Sequence, residues 1–227
     1  MSQIILHLGC HKTGSTWLQE FFFPKIRNLW FFYKWNLNEI PEDMGELPML
    51  ISDEELSKSM PDRENHLEQI YELKKKYPGA KIILGIRRFN PWFESCYRQT
   101  IKTGRHWSKD KYFTKYGDCP TPEYYAFVCQ SLWKDVFVYS FENFCRDKDK
   151  VLVEMCKFMD VEKPAYEDIK INSSIKHVTF WRVINYLMCG EWLRHKIEAP
   201  YWILTYPFRK LGLIWEESSS PQKRWNK

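Results

Sequence analysis

An α/β fold, with a parallel β-sheet covered by helices on both faces, is the expectation from this sequence, and three observations carry it. An apolar run at residues 3–8 ends at Gly9 and gives way to a small-residue loop and then to a segment with one apolar side. A second apolar run, KIILGI at residues 81–86, also leads into a helix-like segment. Along the rest of the chain strand-like and helix-like stretches alternate, as successive βαβ units require. A length of 227 residues suits a single domain, residues 1–227, with its core at about 3–190 and a C-terminal extension of open role at 191–227.

The elements follow in order. Residues 3–8 read as a buried parallel strand, since their apolar side chains are nearly continuous. Residues 9–15 form a Gly/Ser/Thr loop, and residues 16–23 a helix with Trp17, Leu18 and Phe21 on one side, ended by Pro24. The aromatic stretch 27–35 receives no assignment. Residues 48–51 are a short strand stopped by Ser52-Asp53-Glu54-Glu55, where Ser52 or Asp53 can cap a helical turn. Residues 65–76 are a polar amphipathic helix and Pro78-Gly79 is a turn. After the strand at 81–86, Pro91 opens a helix to about Lys102, with Gly104 as its stop. Residues 106–122 read as a long loop of the kind that forms lids or binding loops. Helices are expected at 122–132, 150–159 and 176–188, and a strand at 135–139.

Composition narrows the function. The net charge of +5 is small and scattered, which argues against nucleic acid as partner and suits one multiply anionic ligand. Seven cysteines, an odd number without a CxxC pair, argue against a zinc site and for reduced thiols in a cytoplasmic setting. Residues 1–6 show no basic leader segment. No stretch of about 18 apolar residues is present, so no spanning helix is expected. Residues 201–215 come closest, and leave peripheral membrane contact open beside packing as a C-terminal element. Eleven tryptophans supply core side chains and, at Trp30, Trp35, Trp92 and Trp107, candidate platforms for sugar rings.

The segment Leu6-His7-Leu8-Gly9-Cys10-His11-Lys12-Thr13-Gly14-Ser15-Thr16-Trp17 carries the chemistry. A strand-to-helix turn of small residues aims backbone N–H groups at one point beside the positive end of the helix dipole, where anions bind. Lys12 adds a mobile charge, and Thr13, Ser15 and Thr16 add hydroxyls. A nucleoside-triphosphate loop reads G-x-x-x-x-G-K-S/T, with Lys after the second Gly. Here Lys12 precedes Gly14, so an ATP or GTP loop fits poorly.

The order K-T-G-S-T-W at Lys12 to Trp17 resembles the phosphosulfate loop, K-S/T-G-S/T-S/T-W, of the sulfotransferases that use 3′-phosphoadenosine 5′-phosphosulfate (PAPS). The resemblance implies a P-loop-like sheet and a second anchor for the donor's 3′-phosphate, an Arg at a strand end with a Ser eight residues on. IILGIRRFNPWFESCY supplies Arg87 and Ser95 at that spacing. The planar Arg fork suits phosphate oxygens, and Ser95 falls early in the following helix. Arg88 points the other way. The similarity runs from about residue 3 to 160, through VFVYSFENF and KFMDV, and is closer to the bacterial and carbohydrate-modifying branches. The late R-K-G-x-x-G-x-W-K stretch of the phenol and steroid enzymes is missing; Asn172, Ser173 and Lys176 lie in roughly its place.

The resemblance thus implies transfer of a sulfuryl group from PAPS to a small-molecule or glycan acceptor, leaving adenosine 3′,5′-bisphosphate (PAP). Thr13, Gly14, Ser15, Thr16 and Trp17 are expected to hold the phosphosulfate, Lys12 to neutralise the leaving oxygen, and Arg87 and Ser95, with Asn172 and Ser173, to bind the nucleotide. No metal is expected, since the transferred group carries less charge than a phosphoryl group. Glu54 is the first choice as general base and Asp53 the second. His11, beside Lys12, is a further candidate near the acceptor; His7 reads as a satisfied strand histidine, and His106 as a weaker acceptor contact. The alternatives are a P-loop small-molecule kinase using ATP and a non-catalytic nucleotide-binding module.

Overall fold

A computed structural model describes residues 3–33, 45–57, 59–61 and 66–169. Five parallel strands, β1 (Ile4–His7), β2 (Trp30–Tyr33), β3 (Met49–Ser52), β4 (Lys81–Ile86) and β5 (Val136–Ser140), form one sheet in the order β2-β3-β1-β4-β5. β1 therefore lies at the centre. The register sets His7 beside Ser52 on one side and Ile83 on the other, and pairs Gly85 with Tyr139. The carboxyl ends of the strands collect these polar residues at one edge of an otherwise apolar sheet.

The helices are α1 (Ser15–Trp17), α2 (His66–Lys76), α3 (Phe89–Lys102), α4 (Lys109–Tyr116), α5 (Pro122–Leu132), α6 (Phe141–Arg146) and α7 (Lys148–Met159). α1 continues into a π-helical turn, Leu18–Phe22, and a 3-10 turn, Phe23–Lys25. Side-chain alternation along the strands divides the core. Leu6, Ile51, Ile82 and Leu84 pack with Ile70 and Leu73 of α2 and Tyr125 and Cys129 of α5. Ile5, Leu50, Ile83 and Tyr139 pack with Trp17, Leu18, Phe22 and Leu152, Met155 and Met159 of α7. Each fully buried Leu, Ile or Phe contributes roughly 1.5–3 kcal/mol. The sheet belongs to a compact unit of residues 1–100 and 107–176; residues 101–106 group with 177–227 in a second unit.

The parallel α/β architecture is as expected, and four local readings change. The unassigned aromatic stretch contains β2, an edge strand whose Phe32 is buried. The expected loop at 106–122 contains α4: Ser108 caps it by accepting from Lys111 N–H, and Tyr112 inserts between Phe93 and Tyr97 of α3. Lysine-rich composition hid that buried aromatic anchor. α3 begins at Phe89, two residues before Pro91, since a first-turn proline lacks only an N–H that has no helical partner. VFVYSFENF divides into β5 and α6 at Ser140, whose hydroxyl accepts from Asn143 N–H. Among the described residues no helix is long and apolar enough to cross a membrane. The expected helix at 176–188, the segment 201–215 and Trp35 lie outside the described residues.

Candidate active site at the strand tips

Beyond β1 the chain keeps to β4, with Leu8 N–H donating to Ile83 O at 2.9 Å and Cys10 N–H to Gly85 O at 3.0 Å. It then reverses through two left-handed residues, Lys12 (φ 69°) and Gly14 (φ 90°). A lysine in that region costs about 1–2 kcal/mol, and a backbone held so is often found where function requires it. Trp17 N–H returns to Gly14 O at 3.0 Å and starts the helix. The amides of Ser15 and Thr16 precede any i−4 carbonyl and so mark the positive end of the helical run.

The loop's residues alternate in direction. Thr13 and Ser15 are buried: Thr13 Oγ1 donates to Cys10 O, and Ser15 Oγ lies 2.4 Å from where a Cβ on Gly9 would sit. Gly9 is therefore needed for close approach. Lys12, Gly14 and Thr16 are half-buried. The Lys12 ammonium donates to Gln99 Oε1 of α3 at 2.8 Å. Trp17 turns into the core, stacking on Phe22, with its indole N–H donating to Ile169 O and the Lys148 ammonium 4.3 Å from its ring centre.

Arg87 leaves the end of β4 and reaches this loop. Its Nη1 donates to Lys12 O at 3.3 Å, and its guanidinium lies 4.5 Å from the Phe141 ring centre. Arg87 Nε is buried with no acceptor among the described residues. Burial pulls the guanidinium pKa down, with Glu142 opposing; an added anion would stabilise the charge further. Ser95, half-buried, stands in the second turn of α3, one turn before Gln99. Arg88 faces outward to Glu142, at 3.5 Å.

The 3-10 turn Glu54–Leu56 follows the end of β3. Asp53 accepts from Glu55 N–H at 2.9 Å, which gives its carboxylate a capping contact. Glu54 is half-buried and acts electrostatically on the buried Tyr139 phenol. Glu55, which sequence reasoning passed over, lies 3.4 Å from His11 Nε2. His11 N–H donates to Ser59 Oγ at 2.8 Å, and Trp92 Nε1 donates to His11 O at 3.0 Å. Lys12, Thr13, Gly14, Ser15, Thr16, His11, Glu54 and Arg87 thus converge on the strand tips. Only contacts across 48 residues reveal the His11–Ser59 tie, and no spacing in the sequence signals it. Asn172 and Ser173 lie outside the described residues. Of the tryptophan platforms, Trp92 is fully buried and Trp30 begins β2, at the far end from the site. Trp107 carries Lys111 and Lys115 over its ring at 5.1 and 4.8 Å.

Residues 68–157 match the family model described as a sulfotransferase domain. No curated protein sequence matches the chain. Among solved structures, a sulfotransferase from Alicyclobacillus acidocaldarius aligns at 12% identity and a TM-score of 0.49, over 86% of this chain and 96% of that one. The matched stretch holds β4, Arg87, Ser95 and β5 but not the Lys12 loop, which Arg87 joins in space.

Proposed function

We propose that this protein transfers the sulfuryl group of PAPS to a hydroxyl, or less readily an amine, of a carbohydrate or glycolipid acceptor. The observation that supports it best is the meeting of two segments: the Arg87 guanidinium, its buried Nε–H unmatched among the described residues, lies against the main chain of the Lys12 loop. The loop amides at Gly14 to Thr16 suit the 5′-phosphosulfate. The Arg87 fork and the Ser95 hydroxyl suit the 3′-phosphate, and Asn172 and Ser173 complete the nucleotide set in this reading. The buried Thr13 and Ser15 hydroxyls shape the loop from below and contribute to the anion through main-chain N–H groups.

In the reaction the acceptor oxygen attacks sulfur in line with the bridging oxygen of the donor. An O–S bond forms, the S–O bond to phosphate breaks, and its electron pair stays on the phosphate. Lys12 moves from Gln99 to that developing charge. The acceptor proton passes to Glu54, or to His11 held by Ser59 and Glu55. The unpaired state of all six described cysteines supports a cytoplasmic setting.

Thermal shift tests this directly. PAP without metal should raise Tm, while ATP with magnesium should not. Label from ³⁵S-PAPS should then pass to members of a sugar and glycolipid panel. Stabilisation by ATP with magnesium alone would establish the kinase alternative, and PAP binding without label transfer the non-catalytic one.

A further inference from the structure

Beneath the Lys12 loop lies a run of buried polar side chains that the transfer step does not use. Gln19 Nε2 donates to Ser52 Oγ at 3.0 Å, Ser52 Oγ lies 2.6 Å from His7 Nδ1, and His7 Nε2 lies 3.5 Å from Tyr139 Oη. Tyr139 Oη donates to Thr13 O at 3.4 Å. His7, Gln19, Ser52 and Tyr139 are each at most 3% exposed. The run joins β1, the π-helical turn, β3 and β5 to the loop; its bonded atoms are too deep to exchange a partner for bulk water, and Gln19 Oε1 has no partner among the described residues.

The direction of the protons follows from the chemistry of the partners. A carbonyl only accepts, so Tyr139 gives its one proton to Thr13 O. Its oxygen is then the acceptor for His7, which must carry its proton on Nε2. Nδ1 is left bare and accepts from Ser52, whose oxygen receives Gln19 N–H. In this order each contact of the run has one donor and one acceptor. Burial holds the imidazole neutral and keeps the phenol protonated. Glu54 is the carboxylate that acts on the phenol, and the Thr13 and Ser15 hydroxyls face it.

Gly85 shows how closely the phenol is fitted. A Cβ there would lie 2.5 Å from Tyr139 Oη and 2.7 Å from Thr13 Oγ1, so the strand opposite has room for the hydroxyl only because it carries no side chain.

From this arrangement we infer that His7 and Tyr139 are positioning residues for the anion loop. The neutral Nε2–H tautomer of His7 turns the Tyr139 hydroxyl onto the Thr13 carbonyl, and that contact fixes the peptide from which the Gly14–Thr16 amides project. The inference rests on the loop being the donor's phosphosulfate site.

The test is Tyr139→Phe, which removes one oxygen and keeps the ring in its packing. Titration calorimetry with PAP should show affinity about tenfold weaker, the loss of roughly one hydrogen bond's contribution. KM for PAPS should rise with it while KM for the acceptor stays unchanged, and the circular dichroism spectrum should match wild type. A second pair keeps the test open should that variant misfold: His7→Gln, whose amide can still donate toward Tyr139, should bind PAP more tightly than His7→Leu. In ¹⁵N-resolved spectra of the wild type, His7 should show a protonated Nε2 and a bare Nδ1. Wild-type PAP affinity in Tyr139→Phe, or the Nδ1–H tautomer, overturns the positioning role while leaving the donor site standing. A wild-type protein that binds no PAP overturns both.

Discussion

Arg87 Nη1 donates to the main-chain carbonyl of Lys12 at 3.3 Å across 75 residues of sequence. Two segments that share no sequence neighbourhood, the end of β4 and the loop after β1, therefore meet, the guanidinium of one against the main chain of the other. β4 lies beside β1 in the sheet, and that adjacency brings them together.

The first prediction concerns that pair. Arg87→Ala should weaken PAP binding by about 10- to 100-fold, since hydrogen bonds to a charged group contribute roughly 1.5–3 kcal/mol. Arg87→Lys should recover only part of the loss, because an ammonium lacks the planar fork. Titration calorimetry at fixed ionic strength measures both. Equal PAP affinity in Arg87→Ala and wild type would remove the second anchor.

Lys12→Ala should lower kcat by about 10²–10³-fold, the range for deleting one donor aimed at developing charge. PAP binding should change less, because the loop amides and Arg87 persist. Gln99→Ala removes the 2.8 Å contact to the ammonium and should leave kcat within a few-fold of wild type. Single-turnover rates with labelled PAPS separate the two variants; a Lys12→Ala enzyme that keeps most of its rate would take the leaving-group role from Lys12.

How much of this was legible in the sequence depends on how local the signal is. The turn at Lys12 to Trp17 and the passage from Arg87 to Ser95 each lie within one strand–loop–helix unit, so the local structure of both could be read from the residues alone. β2 was not legible, because an aromatic stretch with only Phe32 fully turned inward lacks a two-residue period. α4 was hidden among lysines, its position fixed by Tyr112 packing on a helix elsewhere in the chain. Trp17 looked like part of the anion loop, whereas the helix turns its side chain to the core and its N–H back to Gly14 O. Glu55 escaped notice because its tie to His11 joins the loop after β1 to the turn after β3, segments far apart in sequence.

That tie bears on the base. Glu54→Gln should reduce kcat by about 10²-fold or more and spare PAP affinity, as expected for loss of a general base. Glu55→Gln should have a smaller effect if Glu54 accepts the proton. The reverse ranking, with His11→Ala as severe as Glu55→Gln, would transfer the role to His11 and its carboxylate partner. Label transfer at saturating PAPS gives the ranking.

The last prediction turns on His7, whose burial lowers its pKa from 6.5 to about 3. The unfolded chain therefore takes up a proton at 6.5, and the folded protein does so only near 3. Neutral His7 contributes its full stability above pH 6.5, and that contribution is lost as pH falls toward 3, at about 1.4 kcal/mol per pH unit within the window. Urea unfolding at pH 6 and pH 4 should show wild type losing roughly 2 kcal/mol more than His7→Gln, in which position 7 cannot titrate. Carboxylates elsewhere titrate in both proteins and cancel in the comparison. Parallel stability curves for the two proteins would mean that the imidazole is solvated or protonated in the fold, and the polar run beneath the loop would then lack its central acceptor.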